Sequence, residues 1–229
     1  MLYELAHILK EKCGFLWDTV EWGNAALFGL INQSALKDVP TILKQVNNDT
    51  FSIRLTEKND APKLAKFFEE QPEGAFTFFK PHDFDEKSIL KVLKNKAFMT
   101  FVVENGDSIV GYFFLRCFVN GKCFRGKIVH KDWQGRGIAK LMGVAMTKVA
   151  QHLNLRMFGS ISPENYASMA SAKASNDIKL HKTLDNGYYY IEFLPKKVDS
   201  HVIGRGGKKR VVRLQPLFVS NVIEERRAA

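Results

Sequence analysis

The chain has 229 residues, 45% of them hydrophobic and 25% charged, which is ordinary for a globular protein and long enough for a sizeable core. It carries 34 Lys and Arg against 24 Asp and Glu, a formal charge of +10 that would suit nucleic acid, a membrane face or a polyanionic small molecule. Much of that excess lies in the tail (Lys196, Lys197, Arg205, Lys208, Lys209, Arg210, Arg213, Arg226 and Arg227), so it says less about the core.

No apolar run approaches the roughly 20 residues that cross a bilayer, and no membrane partner is expected. Glu4, Lys10, Glu11, Lys12, Asp18 and Glu21 punctuate the N-terminus where a signal peptide would keep a clean apolar block. Cys13, Cys117 and Cys123 are too few and too dispersed for a disulfide framework, so a reducing, cytoplasmic setting is expected. Cys117 and Cys123 flank a short turn and could be neighbours. No CxxC or added histidines accompany them, and no metal site is expected.

Residues 1–50 read as a mainly helical N-terminal extension. Leu5, Ile8, Leu9 and Cys13 recur at helical spacing, followed by an aromatic patch at Phe15, Trp17 and Trp22. Helix-compatible patterning continues from Asn24 to Val46, broken near Pro40. Such a segment would cover the core or shape an interface. In FSIRL, Phe51, Ile53 and Leu55 alternate with Ser52 and Arg54, which predicts a strand. APKLAKFFEEQ reads as an amphipathic helix, and ILKVLKNK at 89–96 as a short one with Ile89, Val92 and Leu93 on one face.

The clearest sheet signal follows. AFMTFVVE at 97–104, the turn NGD, SIVGYFFLRCF at 108–118, the turn VNGK and CFRGKIV predict three consecutive antiparallel strands. After the stretch IVHKDWQGRGIAK comes a long helix, IAKLMGVAMTKVAQH. Its apolar face is Ile138, Leu141, Met142, Ala145, Met146 and Val149, with the methionines as core packing. LRMFGSIS returns as a strand, Pro163 opens a further helical run, and IKLHKTL and YYYIEFL flank a DNG turn as a last hairpin. This order predicts an α/β (α+β) fold, a mixed sheet flanked by helices.

Gly135 and Gly137 bracket Arg136 between a strand and a helix. The amides from Gln134 to about Ala139 would be unpaired at the helix N-terminus, a nest for anions backed by the helix dipole, with Arg136 adding charge. The stretch is neither GxxxxGK[ST] nor GxGxxG. A plain tight turn is the other reading of the spacing.

The stretch VHKDWQGRGIA resembles the acyl-CoA loop of the GCN5-related N-acetyltransferases, the GNAT family. Gln134 takes the first position of that loop, Gly137 the central glycine and Ala139 the small residue after it. The order of elements from Phe51 to Leu194 is similar to that family as well, and SPENYAS resembles its segment after the fifth strand. The resemblance implies a largely antiparallel GNAT-type sheet in a domain spanning 51–195, between the 1–50 extension and a basic extension at 196–229. It also implies transfer of an acetyl group from acetyl-CoA, the acyl donor substrate, to a primary amine by direct attack. The backbone of Ile128 and Val129 would pair with the pantetheine. Gln134, Gly135, Arg136, Gly137, Ile138 and Ala139 would hold the pyrophosphate, and Asn165 and Ser168 would stand beside the pantetheine arm. Asn165 also suits a helix N-cap.

Proton transfer is where the chain departs from the family. The strand entering the loop has no carboxylate, which leaves His130 as the nearest base and Asp132 as a second candidate, or merely a helix-start carboxylate. The position where the family carries a tyrosine, seven residues beyond Asn165, is Ala172, and Asn176-Asp177 replace its Gly-Phe. Tyr166 and Tyr188 in the Tyr188–Tyr190 cluster are the alternative acids, although strand tyrosines usually pack a sheet edge. Phe76, Phe78, Phe79 and His82 would line the acceptor cleft or fill the core. A small-molecule amine is the expected acceptor, and a homodimer is compatible with the reading.

Two other readings are a non-catalytic acyl-CoA-binding module and nucleic-acid binding through the tail. VIGRGGKKR resembles the GxxG loop of a KH domain. Only about 35 residues remain after Leu194, reading as one strand, RVVRLQPLFV, and a polar end, too little for that fold. A flexible basic linker is expected there rather than a nucleic-acid partner.

Overall fold

The computed structural model describes residues 14–39, 41–46 and 49–196, with side chains from Thr19 onward. The helix read at Leu5–Cys13 and the tail segments beyond Lys196 lie outside the described residues, as do the side chains of Phe15 and Trp17.

Helix α1 spans Gly14–Ile31 and α2 spans Gln33–Lys37. Ile42–Val46 then forms strand β1, where helical patterning was expected to continue. Its burial alternates residue by residue, and it runs antiparallel to β2 (Asp49–Leu55), from Ile42 opposite Ile53 to Val46 opposite Asp49. Five residues after Pro40 are too few for a helix to bury a face. A sheet edge satisfies the same backbone through a ladder.

The remaining strands are β3 (Phe98–Asn105), β4 (Ser108–Phe118), β5 (Lys122–Val129), β6 (Arg156–Ile161), β7 (Asn176–Thr183) and β8 (Tyr189–Pro195). Together they make one eight-stranded sheet in the order β1-β2-β3-β4-β5-β6-β8-β7. Every neighbouring pair is antiparallel except β5 with β6. Cys117 and Cys123 are register partners across β4 and β5, both buried thiols.

Strand alternation gives the sheet two apolar faces. Phe101, Val103, Phe113, Leu115 and Cys123 meet Ile138, Met142, Ala145, Met146 and Val149 of α5 (Ile138–His152) and Phe28 of α1. Val102, Tyr112 and Ile128 meet Leu64, Phe67 and Phe68 of α3 (Ala61–Glu69) and Ile89 of α4 (Glu86–Val92). Helix α4 begins before the apolar pattern does, because the Asp85 carboxylate accepts a 3.0 Å hydrogen bond from the Ser88 amide and caps a polar first turn. Asn24 holds α1 to the sheet, donating to the Cys117 carbonyl at 2.9 Å and accepting from the Val119 amide at 3.1 Å. Helix α6 (Tyr166–Ser175) packs beside α5. Among the described residues, no helix is long and apolar enough to cross a membrane.

Candidate active site

The parallel pair β5 and β6 stays in register for three residues only: Lys122 with Arg156, Cys123 with Met157 and Phe124 with Phe158. Beyond Phe124, β5 continues to Val129 and β6 to Ile161 with no ladder between them. The sheet is therefore split. Five residues of β5 present backbone to a slot about 16 Å deep, at 3.3 Å per residue. Elsewhere an open strand edge invites pairing with another extended group.

The QGRGIA loop stands at the mouth of this slot. After β5, Lys131–Trp133 form a single 3₁₀ turn, Gln134 is extended, and Gly135 and Gly137 adopt left-handed φ values of 76° and 83°. Gly137 is the N-cap of α5 and supplies no side-chain cap, while Ile138 is buried and anchors the first turn. The first amides of a helix have no intrahelical acceptor. A Cβ added at Gly135 or Gly137 would meet nothing within 4 Å, so no other part of the chain packs against the Cα side of the loop there. Arg136 lies over the Trp133 ring at 4.6 Å and donates to the Asp132 carbonyl at 3.2 Å. Residues 134–139 thus form an open cradle of amide donors at a helix N-terminus, which fits a pyrophosphate group.

Inside the slot, β5 turns its odd-numbered side chains toward α5 and α6. Arg125 donates to Asn176 Oδ1 at 3.0 Å and lies 3.4 Å from the Phe193 ring centre. Lys127 donates from Nζ to the Ala139 carbonyl at 2.6 Å and also to Ser171 Oγ. Burial, reinforced by the charge of Arg125, brings the Lys127 ammonium down to a pKa of about 7. Sequence reading passed over these two cations. The available signal was their alternation, Arg125 and Lys127, inside a strand whose neighbours read as core.

On the opposite face, Gly126 lets aromatic rings lie directly on the β5 backbone. A Cβ there would fall 2.4 Å from a Phe114 ring carbon and 3.2 Å from one of Phe79. Phe79 is buried, and Phe76 packs 4.7 Å from Phe84. His82 bonds to the Tyr112 hydroxyl at 2.8 Å, and burial lowers its pKa. Of the four residues read as cleft or core, Phe76, Phe79 and His82 thus join one packed aromatic cluster, and Phe78 is 43% exposed.

The sequence-derived proton-transfer candidates are spread around the mouth. His130 leaves β5 on the α3 side, where Nε2 meets Glu70 Oε2 at 3.1 Å and Nδ1 accepts from the Asp132 amide at 3.3 Å. It borders a cavity of about 360 Å³ with Lys63, Lys66, Glu70 and Trp133. The Asp132 side chain is exposed, 3.7 Å from His130 Nδ1. Tyr166 is 78% exposed in the first turn of α6, and Tyr188 sits half-buried in the β7–β8 turn. Asn165 caps α6, accepting from the Ser168 amide at 2.9 Å. Ala172 is 1% exposed, in the core.

A mixed sheet split between two parallel neighbours, with a glycine-flanked strand-to-helix loop at the mouth of the split, is the architecture that the resemblance to the GNAT family implies. The sequence profile described as "Acetyltransferase (GNAT) domain" matches residues 51–175, just over half of the chain, and the chain belongs to that family. Solved structures share the fold. The GNAT domain of S. lividans PAT aligns at TM-score 0.57 and 15% identity over 67% of this chain and 95% of its own. Mycobacterium smegmatis RimJ, in complex with CoA-disulfide, aligns at 0.55 and 14% over 68% and 86%. The PaiA N-acetyltransferase of Thermoplasma acidophilum, in complex with coenzyme A, aligns at 0.54 and 11% over 63% and 98%. No curated protein matches the chain in sequence.

Proposed function

We propose that the protein transfers an acetyl group from acetyl-CoA to the primary amine of a small molecule. The observation that carries the reading is the split between β5 and β6 with the open amide cradle of residues 134–139 at its mouth. The cradle would hold the pyrophosphate, and the unpaired edge from Val129 inward would take the pantetheine as an extra strand, with backbone amides polarising the thioester carbonyl. Two of the structures that share the fold hold coenzyme A or its disulfide, which supports the same donor here. Binding energy from the nucleotide end then fixes the reactive carbonyl beside the amine, and direct attack needs no covalent enzyme intermediate. His130 with Glu70, bordering a cavity near the mouth, is the group that takes the amine proton through water.

The test incubates the full chain with acetyl-CoA and a panel of a polyamine, an aminoglycoside, amino acids and a peptide N-terminus, and measures free CoA thiol. Amine-dependent thiol release is expected. Saturable CoA binding with no release for any amine would overturn catalysis in favour of a binding module.

A further inference from the structure

Lys127 is a half-buried cation of the slot. Its ammonium is held between the Ala139 carbonyl in the first turn of α5 and the Ser171 hydroxyl of α6, bridging the gap between the exposed β5 edge and the helices behind it. An extended chain entering at the 134–139 cradle and following β5 inward meets residue 127 about 7 Å past Val129, at two strand residues, and the slot closes at Phe124. Each packed element contributes a neutral group to its surroundings: α5 the Ala139 carbonyl and Gly143, whose added Cβ would lie 3.6 Å from Nζ, and α6 the Ser171 hydroxyl. The one charged group that acts on it is Arg125, on its own strand. Among the described residues, no carboxylate faces it. A half-buried ammonium without a counter-ion suits a site where negative charge appears during a reaction.

We propose that Lys127 is the proton donor to the departing CoA thiolate, an assignment that rests on the acyl-donor reading above. As the amine nitrogen bonds to the carbonyl carbon, the C–S bond breaks and its electron pair goes to sulfur. Lys127 Nζ gives that sulfur a proton and regains one from water. The nitrogen sheds two protons between ammonium and amide. One is balanced by the new thiol and the other leaves to solvent. Burial brings Lys127 near neutrality, so the ammonium gives up its proton more readily than an exposed lysine and is regenerated at physiological pH.

The experiment titrates the thiol of CoA itself, by ultraviolet thiolate absorbance, free and bound to the full chain, so no acceptor is needed. An adjacent cation favours thiolate, but Lys127, with a pKa of about 7, is largely neutral where the thiol titrates, so the comparison is with Lys127→Arg, whose cation persists there. At CoA concentrations that saturate each protein, the bound thiol of Lys127→Arg should titrate at least about one unit below that of Lys127→Met. If Lys127→Met fails to fold, Lys127→Arg is compared with wild type, and the lower thiol pKa is expected in Lys127→Arg. Identical thiol titrations in Lys127→Arg and in Lys127→Met or wild type would overturn the assignment while leaving the donor reading intact. So would much tighter CoA binding by Lys127→Met, which would make the lysine an obstruction in the slot. A wild type that binds neither CoA nor acetyl-CoA would overturn the donor reading and the assignment with it.

Discussion

The carbonyl of Ala139 accepts a 2.6 Å hydrogen bond from Lys127 Nζ, joining the middle of β5 to the first turn of α5. The loop at 134–137 is thus pinned from behind: its helix end is tied to the strand whose other edge lines the slot. The loop and the strand that lines the slot are thus linked through one side chain.

Lys127 also predicts how stability depends on pH. Its folded pKa of about 7 lies below its ordinary value of 10.5. Between those values the unfolded chain holds a proton that the folded one lacks, so stability rises with pH, by at most about 1.4 kcal/mol per unit from this group. Below pH 7 both states are charged and the contribution is flat. Urea unfolding between pH 7 and pH 9.5 should show this rise in the wild type and lose it in Lys127→Met.

Glu192 makes the opposite prediction. Arg156 bonds it twice, at 2.8 and 2.9 Å, and His181 once, at 2.8 Å. The Arg156 hydrogen bonds outweigh burial and hold the carboxyl at a pKa of about 2 against 4.5. Its stabilisation is present above pH 4.5 and is lost as pH falls toward 2. Glu192→Gln should unfold more readily than wild type at pH 6, and the gap should close by pH 2, read by circular dichroism.

Gly126 is a packing position. Adding even a methyl group would place it 2.4 Å from the Phe114 ring, so Gly126→Val must displace the aromatic cluster or the strand. A destabilisation of about 2 kcal/mol or more in chemical denaturation is expected.

Asn165 caps α6 through the Ser168 amide. Asn165→Ala should cost about 1 kcal/mol in unfolding free energy, and Asn165→Asp should largely retain it.

Much of this architecture was legible in the sequence where one physical signal dominated. The Asn-Gly turns located the β3–β4–β5 meander, and the apolar face from Ile138 to Val149 located α5. The Gly135–Gly137 pair located the loop because left-handed φ values there call for glycine. Strand β1 was missed since five residues carry too little pattern to separate edge strand from helix. His130 was read as a base from its place in the chain, but its pairing with Glu70, sixty residues earlier, is a tertiary fact. Lys127 and Arg125 were missed for a related reason. Only the divergence of β6, with α5 and α6 closing behind the gap, turns two strand cations into the lining of a slot.

The central claim is that residues 134–139 hold the phosphates of an acyl-CoA. Calorimetric titration of CoA into wild type and Gly137→Val tests it directly. A branched side chain at φ 83° adds bulk to the open side of the loop and strains the cap by about 1–2 kcal/mol, within what a folded domain tolerates. Saturable binding in the wild type, weakened at least about tenfold in a folded Gly137→Val, is the predicted result. Equal affinity in the two proteins, or no binding in the wild type, would contradict it.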